Sequence, residues 1–144
     1  MTVFVDTAVV MYANGADHPL RHACREIMVR IRDGQLEAVT SAEVVQEILH
    51  RLISIKRPEF GIEIARVTMD AFAPVVPISH ALMRRVPDLV GRYPRLSSRD
   101  LVHVATCIHE GITDIVSPDR AFDQVAEVRR IDPLEFADPL FQPA

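Results

Sequence analysis

The chain opens with Met1-Thr-Val-Phe-Val-Asp-Thr7, a short apolar run that ends on an aspartate. Valine, phenylalanine and threonine favour strands, so the sequence predicts a buried first strand with Asp6 at its carboxyl end. Ligands of open α/β sheets collect just outside the carboxyl ends of the strands, which makes Asp6 a candidate functional residue. The structural alternative is that Asp6 caps the helix that follows, a common position for aspartate.

The size and composition indicate one globular domain. A chain of 144 residues, 49% of them apolar, can bury a core without disulfides or a structural metal. Neither a long apolar run nor a signal peptide is visible, so we expect a cytoplasmic protein without membrane association. Cys24 and Cys107 lack the spacing of a metal or redox motif and are expected to be core residues.

Segments of strand and helix character alternate along the chain. Strands are predicted near residues 2–5, 36–40, 75–78, 113–117 and 128–131. Pro77 disfavours a central position, so 75–78 is expected to be short or at an edge. Without tight hairpin turns, the pattern predicts an α/β fold with a central parallel sheet of four to five strands flanked by helices. We expect this domain to span residues 1–132, followed by a loosely ordered, proline-bearing tail at 133–144.

Four carboxylates fall at the same edge of the predicted sheet. Asp6 ends the first strand, Glu47 lies in the helix after the second, Asp100 opens the helix before the 113–117 strand, and Asp119 follows that strand. Each acid has a structural explanation as a helix cap, a turn residue or a solvated residue. Those explanations give no reason for all four acids to lie at the same edge of the sheet. Carboxylates this close repel one another unless a cation neutralises them.

The ligand chemistry favours a hard divalent ion. Oxygen ligands without a cysteine or histidine set suit Mg²⁺ or Mn²⁺ better than Zn²⁺. His103 and His109 are six residues apart on a predicted helix and the other histidines are scattered, so all are expected to be hydrogen-bonded or solvated and to form no competing site. Many enzymes that catalyse phosphoryl transfer use magnesium bound by a cluster of carboxylates, so the sequence predicts phosphodiester hydrolysis. The net charge of −4 argues against nucleic-acid binding by bulk electrostatics, but bound cations present positive charge locally.

Four runs carry a family resemblance. They are Val3-Phe-Val-Asp6-Thr7, Thr40-Ser41-Ala-Glu-Val-Val-Gln-Glu47-Ile-Leu, Asp100-Leu-Val-His-Val-Ala105 and Asp114-Ile-Val-Ser117-Pro-Asp119-Arg-Ala-Phe122. In this order and spacing they resemble the motifs of PIN domains, and the compact size resembles VapC-type toxins of bacterial toxin–antitoxin pairs. The resemblance covers about residues 2–131.

The resemblance implies a Mg²⁺- or Mn²⁺-dependent endoribonuclease on a five-stranded parallel sheet. It implies that Asp6, Glu47, Asp100 and Asp119 hold the metal, with hydrogen-bonding support from Thr7 and Ser117. It also implies an RNA substrate, a homodimer, and a cognate VapB-like antitoxin whose partly disordered tail folds around the toxin.

The sequence predicts the roles of some residues near these motifs less clearly. Ser117 stands where threonine is more usual, a change that keeps the hydroxyl. Asp123 is an additional acid, expected to be solvated, with a second-metal role as the alternative. Arg99 and Arg120 flank metal-site acids and are weak candidates for contacting substrate phosphate, since solvated surface arginine is the preferred explanation for each.

Three other functions compete with the nuclease. A catalytically degenerate PIN domain would keep the fold and serve as a partner- or RNA-binding module. A phosphatase of the haloacid dehalogenase type needs a second aspartate two residues after the first, and position 8 is alanine. A phospho-receiver needs a late lysine, whereas Lys56 is the only lysine in the chain. The sequence disfavours both phosphate-transfer families.

Overall fold

Four parallel strands form the centre of the molecule. The computed structural model describes residues 1–141. The strands are β1 (Thr2–Val5), β2 (Glu37–Val39), β3 (Asp114–Val116) and β4 (Arg129–Ile131), and they lie in the order β2-β1-β3-β4. The helices are α1 (Thr7–Asn14), α2 (Arg21–Arg32), α3 (Ala42–Ser54), α4 (Pro58–Ala71), α5 (His80–Met83), α6 (Val86–Arg92), α7 (Ser98–Glu110) and α8 (Pro133–Phe136), with a 3₁₀ turn at Arg120–Gln124. The predicted α/β fold with a parallel sheet is confirmed.

Strand β1 lies in the middle of the sheet and is buried on both faces. Phe4 is paired with Val39 of β2 on one side and with Ile115 of β3 on the other. Parallel strands need helical crossovers, and these helices cover both faces. All four strands therefore end at the same edge, and the residue that follows β1, Asp6, lies at the centre of that edge.

The helix before β3 returns the chain to the sheet. Helix α7 buries an almost continuous set of residues from Leu101 to Cys107 and ends at Gly111, whose φ of +69° is in the left-handed region that glycine tolerates. Its first turn, with Asp100, consequently lies at the carboxyl edge of the strands. Cys24 and Cys107 are free and fully buried, as predicted for core residues.

The predicted strand at 75–78 is reduced to a single bridge. Val76 pairs in parallel with Ser41, donating its N–H to the Thr40 carbonyl and accepting from the Ala42 N–H. Pro77 has no N–H to donate, so the pairing stops there. The sheet thus has four strands, and the five strands implied by the resemblance correspond here to four strands and one bridge.

The expectation of a loosely ordered tail is wrong for its first residues. Pro133–Phe136 forms a helix because Asp132 caps it, with Oδ1 accepting from the Leu134 N–H at 2.9 Å. Phe136 is buried and meets Phe141 edge-on. Residues 142–144 of the predicted tail lie outside the described residues, and the domain boundary at 132 stays a prediction. Within residues 1–141, no helix is long and apolar enough to cross a membrane.

Candidate metal site

Asp6 is held by hydrogen bonds to both of its carboxylate oxygens. Oδ1 accepts from the Thr7 N–H at 2.8 Å, so Asp6 does cap α1. Oδ2 accepts from the Ser117 hydroxyl at 2.6 Å, across the gap between β1 and β3. The same hydroxyl accepts from the Asp119 N–H at 3.0 Å. Because each oxygen keeps a second lone pair, the capping role leaves Asp6 able to bind a cation.

Two further buried side chains face Asp6 from the helices. Glu47 projects from α3 and is 4% exposed, and His103 lies on α7, fully buried. His103 Nε2 is 3.7 Å from Asp6 Oδ1 and 3.9 Å from Glu47 Oε2. One potential ligand atom from each of the three residues lies within 4.8 Å of the other two. This spacing suits side chains that surround a single small ion.

The site contains buried polar atoms without partners. Both ring nitrogens of His103 and the Thr7 hydroxyl are buried and make no hydrogen bond within residues 1–141. An unpaired buried polar group costs about 1–3 kcal/mol, so native structures pair such groups with protein, water or an ion. His103 lies with Asp6 and Glu47 in a group that could hold a metal ion.

Burial and the neighbouring charges shift the pKa values of Asp6, Glu47 and His103. Burial raises the pKa of Asp6, and the neighbouring charges of Glu47 and Asp100 raise it further, against the opposing effects of His103 and Ser117. Burial also acts to raise the pKa of Glu47, but His103, Thr7 and Arg51 together lower it to about 2. The carboxylates in turn raise the pKa of His103, although burial acts to lower it. A bound cation would relieve the repulsion between the acids.

Asp100 and Asp119 lie at the outer side of this group. Asp100 is half-buried in the first turn of α7, where its N–H donates to the Ser97 hydroxyl at 3.2 Å. Burial raises the pKa of Asp100, and the charges of Asp119 and Glu47 add to this. Asp119 is exposed, and its Oδ1 caps the 3₁₀ turn through the Ala121 N–H at 2.9 Å. We call Asp6, Glu47, Asp100 and Asp119 the acidic cluster.

His103 was missed by the sequence reasoning. The expectation that the histidines are hydrogen-bonded or solvated is wrong for this residue, whose two ring nitrogens are buried and unpaired within residues 1–141. Its imidazole lies between Asp6 and Glu47 instead of being paired or solvated. A signal was available, because His103 follows Asp100 by three residues and therefore lies on the same face of the helix.

Asp123, Arg99 and Arg120 differ in their exposure and in their hydrogen-bond partners. Asp123, expected to be solvated, accepts from Arg130 Nε at 2.8 Å, and Arg130 Nη1 also donates to the Ser117 carbonyl at 3.0 Å. The Asp123 side chain is nevertheless 51% exposed, so the expectation that it is solvated is confirmed. Arg99 is half-buried and Arg120 is exposed, and neither makes a hydrogen bond or ion pair within the described chain.

The sequence matches the family model described as the PIN domain over residues 3–128. It is 34% identical over 129 residues to Ribonuclease VapC13 from Mycobacterium tuberculosis, covering 90% of this chain and 98% of that protein. It is 38% identical over 117 residues to Ribonuclease VapC23 from the same species, covering 81% of this chain and 92% of that protein.

Solved structures share the fold at low sequence identity. VapBC2 from Rickettsia felis, crystallised with a DNA fragment from its promoter, superposes with a TM-score of 0.71 at 12% identity. FitAcB from Neisseria gonorrhoeae gives a TM-score of 0.71 at 14% identity, and each alignment covers 92% of this chain and 98% of the other. From the family match and the two mycobacterial relatives, the chain belongs to the PIN-domain family, among the VapC ribonucleases.

Proposed function

We propose that this protein is a metal-dependent endoribonuclease that hydrolyses phosphodiester bonds in RNA, as the toxin of a VapBC-type toxin–antitoxin pair. The observation that carries the proposal is the buried group of Asp6, Glu47 and His103, with its unpaired imidazole at the carboxyl edge of the sheet. The names of the mycobacterial relatives support RNA as the substrate.

The acidic cluster would hold the metal, which we propose to be Mg²⁺ or Mn²⁺. Carboxylate oxygens dominate the donor set, and both ions prefer oxygen ligands. When bound, the ion neutralises charge on the scissile phosphate and lowers the pKa of an attacking water. Asp6 and Asp100 are the proposed direct ligands, with Glu47 and Asp119 completing the set.

The surrounding residues fix the orientation of these carboxylates. The Ser117 hydroxyl and the Thr7 N–H each donate to one oxygen of Asp6 and so fix the orientation of its carboxylate. His103 Nε2 faces Asp6 and Glu47 at distances that a small side-chain movement would shorten to hydrogen bonds, so we assign it as a donor that positions the acids. The Thr7 hydroxyl, buried in the same place, is proposed to support the site in the same way.

The substrate phosphates need positive charge outside the cluster. Arg99 and Arg120 are adjacent in sequence to Asp100 and Asp119, and their guanidinium groups are not committed to ion pairs in the described chain. We propose that both contact the RNA backbone, since the guanidinium fork matches a phosphate in two-pronged fashion.

The proposal includes partners and location. A VapB-like antitoxin is supported by neighbouring structures described as VapBC2 from Rickettsia felis and as a toxin–antitoxin complex from Klebsiella pneumoniae. The homodimer is proposed from the family resemblance. An enzyme that cleaves cellular RNA in a bacterium acts in the cytoplasm. We therefore propose a cytoplasmic toxin held inactive by its antitoxin.

Cleavage of single-stranded and structured RNAs, with Mg²⁺ and with chelator, tests the function. We expect cleavage only with the metal, and loss of cleavage in Asp6→Asn. Asp114→Asn is the matched control, because Asp114 is also a buried acid but lies at the opposite end of β3. Metal-independent cleavage would overturn the proposal, and RNA binding without any cleavage would instead indicate a degenerate PIN domain.

A further inference from the structure

A cleft of about 340 Å³ runs along the outer face of α1, beside the acidic cluster. One face of the helix is buried in the core through Val9, Val10 and Ala13. The opposite face supplies Ala8, Met11 and Tyr12 to the cleft, at the i, i+3, i+4 spacing of a single helical face. The volume falls within the range of small-ligand pockets.

Two aromatic rings stack at the far end of this cleft. The centroids of Tyr12 and His18 are 4.3 Å apart, with an angle of 24° between the rings. Tyr12 is half-buried against the core, whereas His18 is exposed. His18 Nδ1 accepts from the Leu20 N–H at 3.1 Å, which holds the ring and leaves Nε2–H of the neutral imidazole free to donate.

Arg51 joins the cleft to the acidic cluster. It lines the cleft and places Nη2 3.5 Å from Glu47 Oε1, with half of its side chain exposed. Asp17, next to His18 in sequence, also lines the cleft and repels a phosphate, which is therefore favoured at Arg51. With a rise of about 1.5 Å per residue, Tyr12 is about 9 Å along α1 from Asp6, a distance within reach of a neighbouring nucleotide.

We propose that this cleft binds an unpaired nucleotide adjacent to the scissile phosphate, with its base stacked on His18 and its phosphate on Arg51. This subsite rests on the proposed ribonuclease function and narrows its substrate. Aromatic side chains stack on bases that are splayed out of a helix, and arginine recognises phosphate. A base held in a duplex cannot enter the cleft, so the preferred substrate is a single-stranded segment or a loop.

The subsite can be tested with a short single-stranded RNA that carries 2-aminopurine, whose fluorescence is quenched by stacking. Binding to the full chain is measured in Ca²⁺, with the integrity of the RNA checked on a gel, and cleavage is measured in Mg²⁺. His18→Ala is the main variant, because an exposed side chain can be removed without threatening the fold. His109→Ala is the matched control, because His109 is exposed at the far end of α7. Tyr12→Phe keeps the stacked ring, and Tyr12→Leu removes it.

We expect His18→Ala and Tyr12→Leu to lose the quenching and to weaken RNA binding about 5- to 100-fold. KM should rise with little change in kcat, and Mg²⁺ affinity should be unchanged. Tyr12→Phe should retain the quenching because it keeps the stacked ring, and His109→Ala should behave as wild type. Arg51→Gln should reduce the slope of log affinity against log salt by about 0.7.

The two proposals fail in different ways. In one outcome, the wild type cleaves RNA with Mg²⁺, and His18→Ala binds the RNA and quenches its fluorescence as the wild type does. This outcome overturns the nucleotide subsite and leaves the ribonuclease proposal intact. If the wild type binds and stacks the RNA without cleaving it, the ribonuclease falls and the nucleotide cleft remains. If the wild type does not bind the RNA, both are overturned.

Discussion

The variant Asp6→Asn tests whether Asp6 binds a metal or only caps a helix, if its free energy of unfolding is measured with and without metal. Asparagine caps helices about as well as aspartate, so the cap on α1 is preserved. The charge-assisted hydrogen bond from Ser117 is weakened, and such bonds contribute about 1.5–3 kcal/mol. Removing a buried charge whose pKa is already raised offsets part of that loss. In chelator we therefore expect a net destabilisation below about 2 kcal/mol.

Added Mg²⁺ should stabilise only the wild type. A ligand at a hundredfold excess over its Kd contributes about 2.7 kcal/mol to the free energy of unfolding. At about 2–4 °C per kcal/mol, the Tm of the wild type should rise by roughly 5–11 °C. Asp6→Asn should show no rise, since its site has lost a ligand.

Thermal unfolding monitored by circular dichroism, in chelator and in a Mg²⁺ series, measures both quantities. The control is Asp114→Asn, which breaks the pair with the half-exposed Arg129 and should lower stability by about 1 kcal/mol or less while keeping the Mg²⁺ increment. The reasoning is refuted if Asp6→Asn keeps the Mg²⁺ increment, or if it loses more than about 3 kcal/mol in chelator, beyond the strongest single hydrogen bond.

Three further predictions concern the residues around the acidic cluster. The pKa of His103 is raised in the folded state, so protonated His103 stabilises the metal-free protein fully below pH 6.5. The free energy of unfolding of the protein should therefore fall as the pH rises above 6.5, and urea titrations of His103→Gln should show a weaker dependence on pH. Ser117→Ala should weaken Mg²⁺ binding about 10- to 100-fold in calorimetry by releasing Asp6, whereas Ser117→Thr should bind as wild type. Arg130→Gln, at a side chain only 12% exposed, should lower stability by about 1–3 kcal/mol, more than Arg129→Gln at 49% exposed, as measured by urea unfolding.

Much of the fold could be predicted because local patterns and tertiary structure agree. The apolar run before Asp6 and the alternation of strands with helices are sufficient to define a parallel sheet, and a parallel sheet places every carboxyl end at one edge. The acids at strand ends could therefore be grouped before any distance was known.

The position of His103 depends on packing that the sequence does not contain. Its place on α7 follows from helical periodicity, but its 3.7 Å approach to Asp6 depends on how α7 packs against β1. The stack of Tyr12 and His18 likewise depends on the conformation of the turn between α1 and α2. Neither distance is determined by spacing along the chain.

The differences in the tail and at 75–78 have local causes. Asp132 followed by Pro133 is a helix-start signal, which the proline-bearing composition of the tail obscures. Residues 75–78 have the apolar composition of a strand, yet Pro77 limits the pairing to Val76. In both places a single residue determines the outcome more strongly than the average composition does.

Readdition of metal to the chelator-treated protein tests the central claim most directly. The rate of RNA cleavage is followed under single-turnover conditions as Mg²⁺ or Mn²⁺ is returned to the wild type, Asp6→Asn and Glu47→Gln. We predict that the metal restores cleavage in the wild type only. Cleavage without metal, or restoration to the wild-type rate in Asp6→Asn, would contradict the assignment of the acidic cluster as the metal site of a ribonuclease.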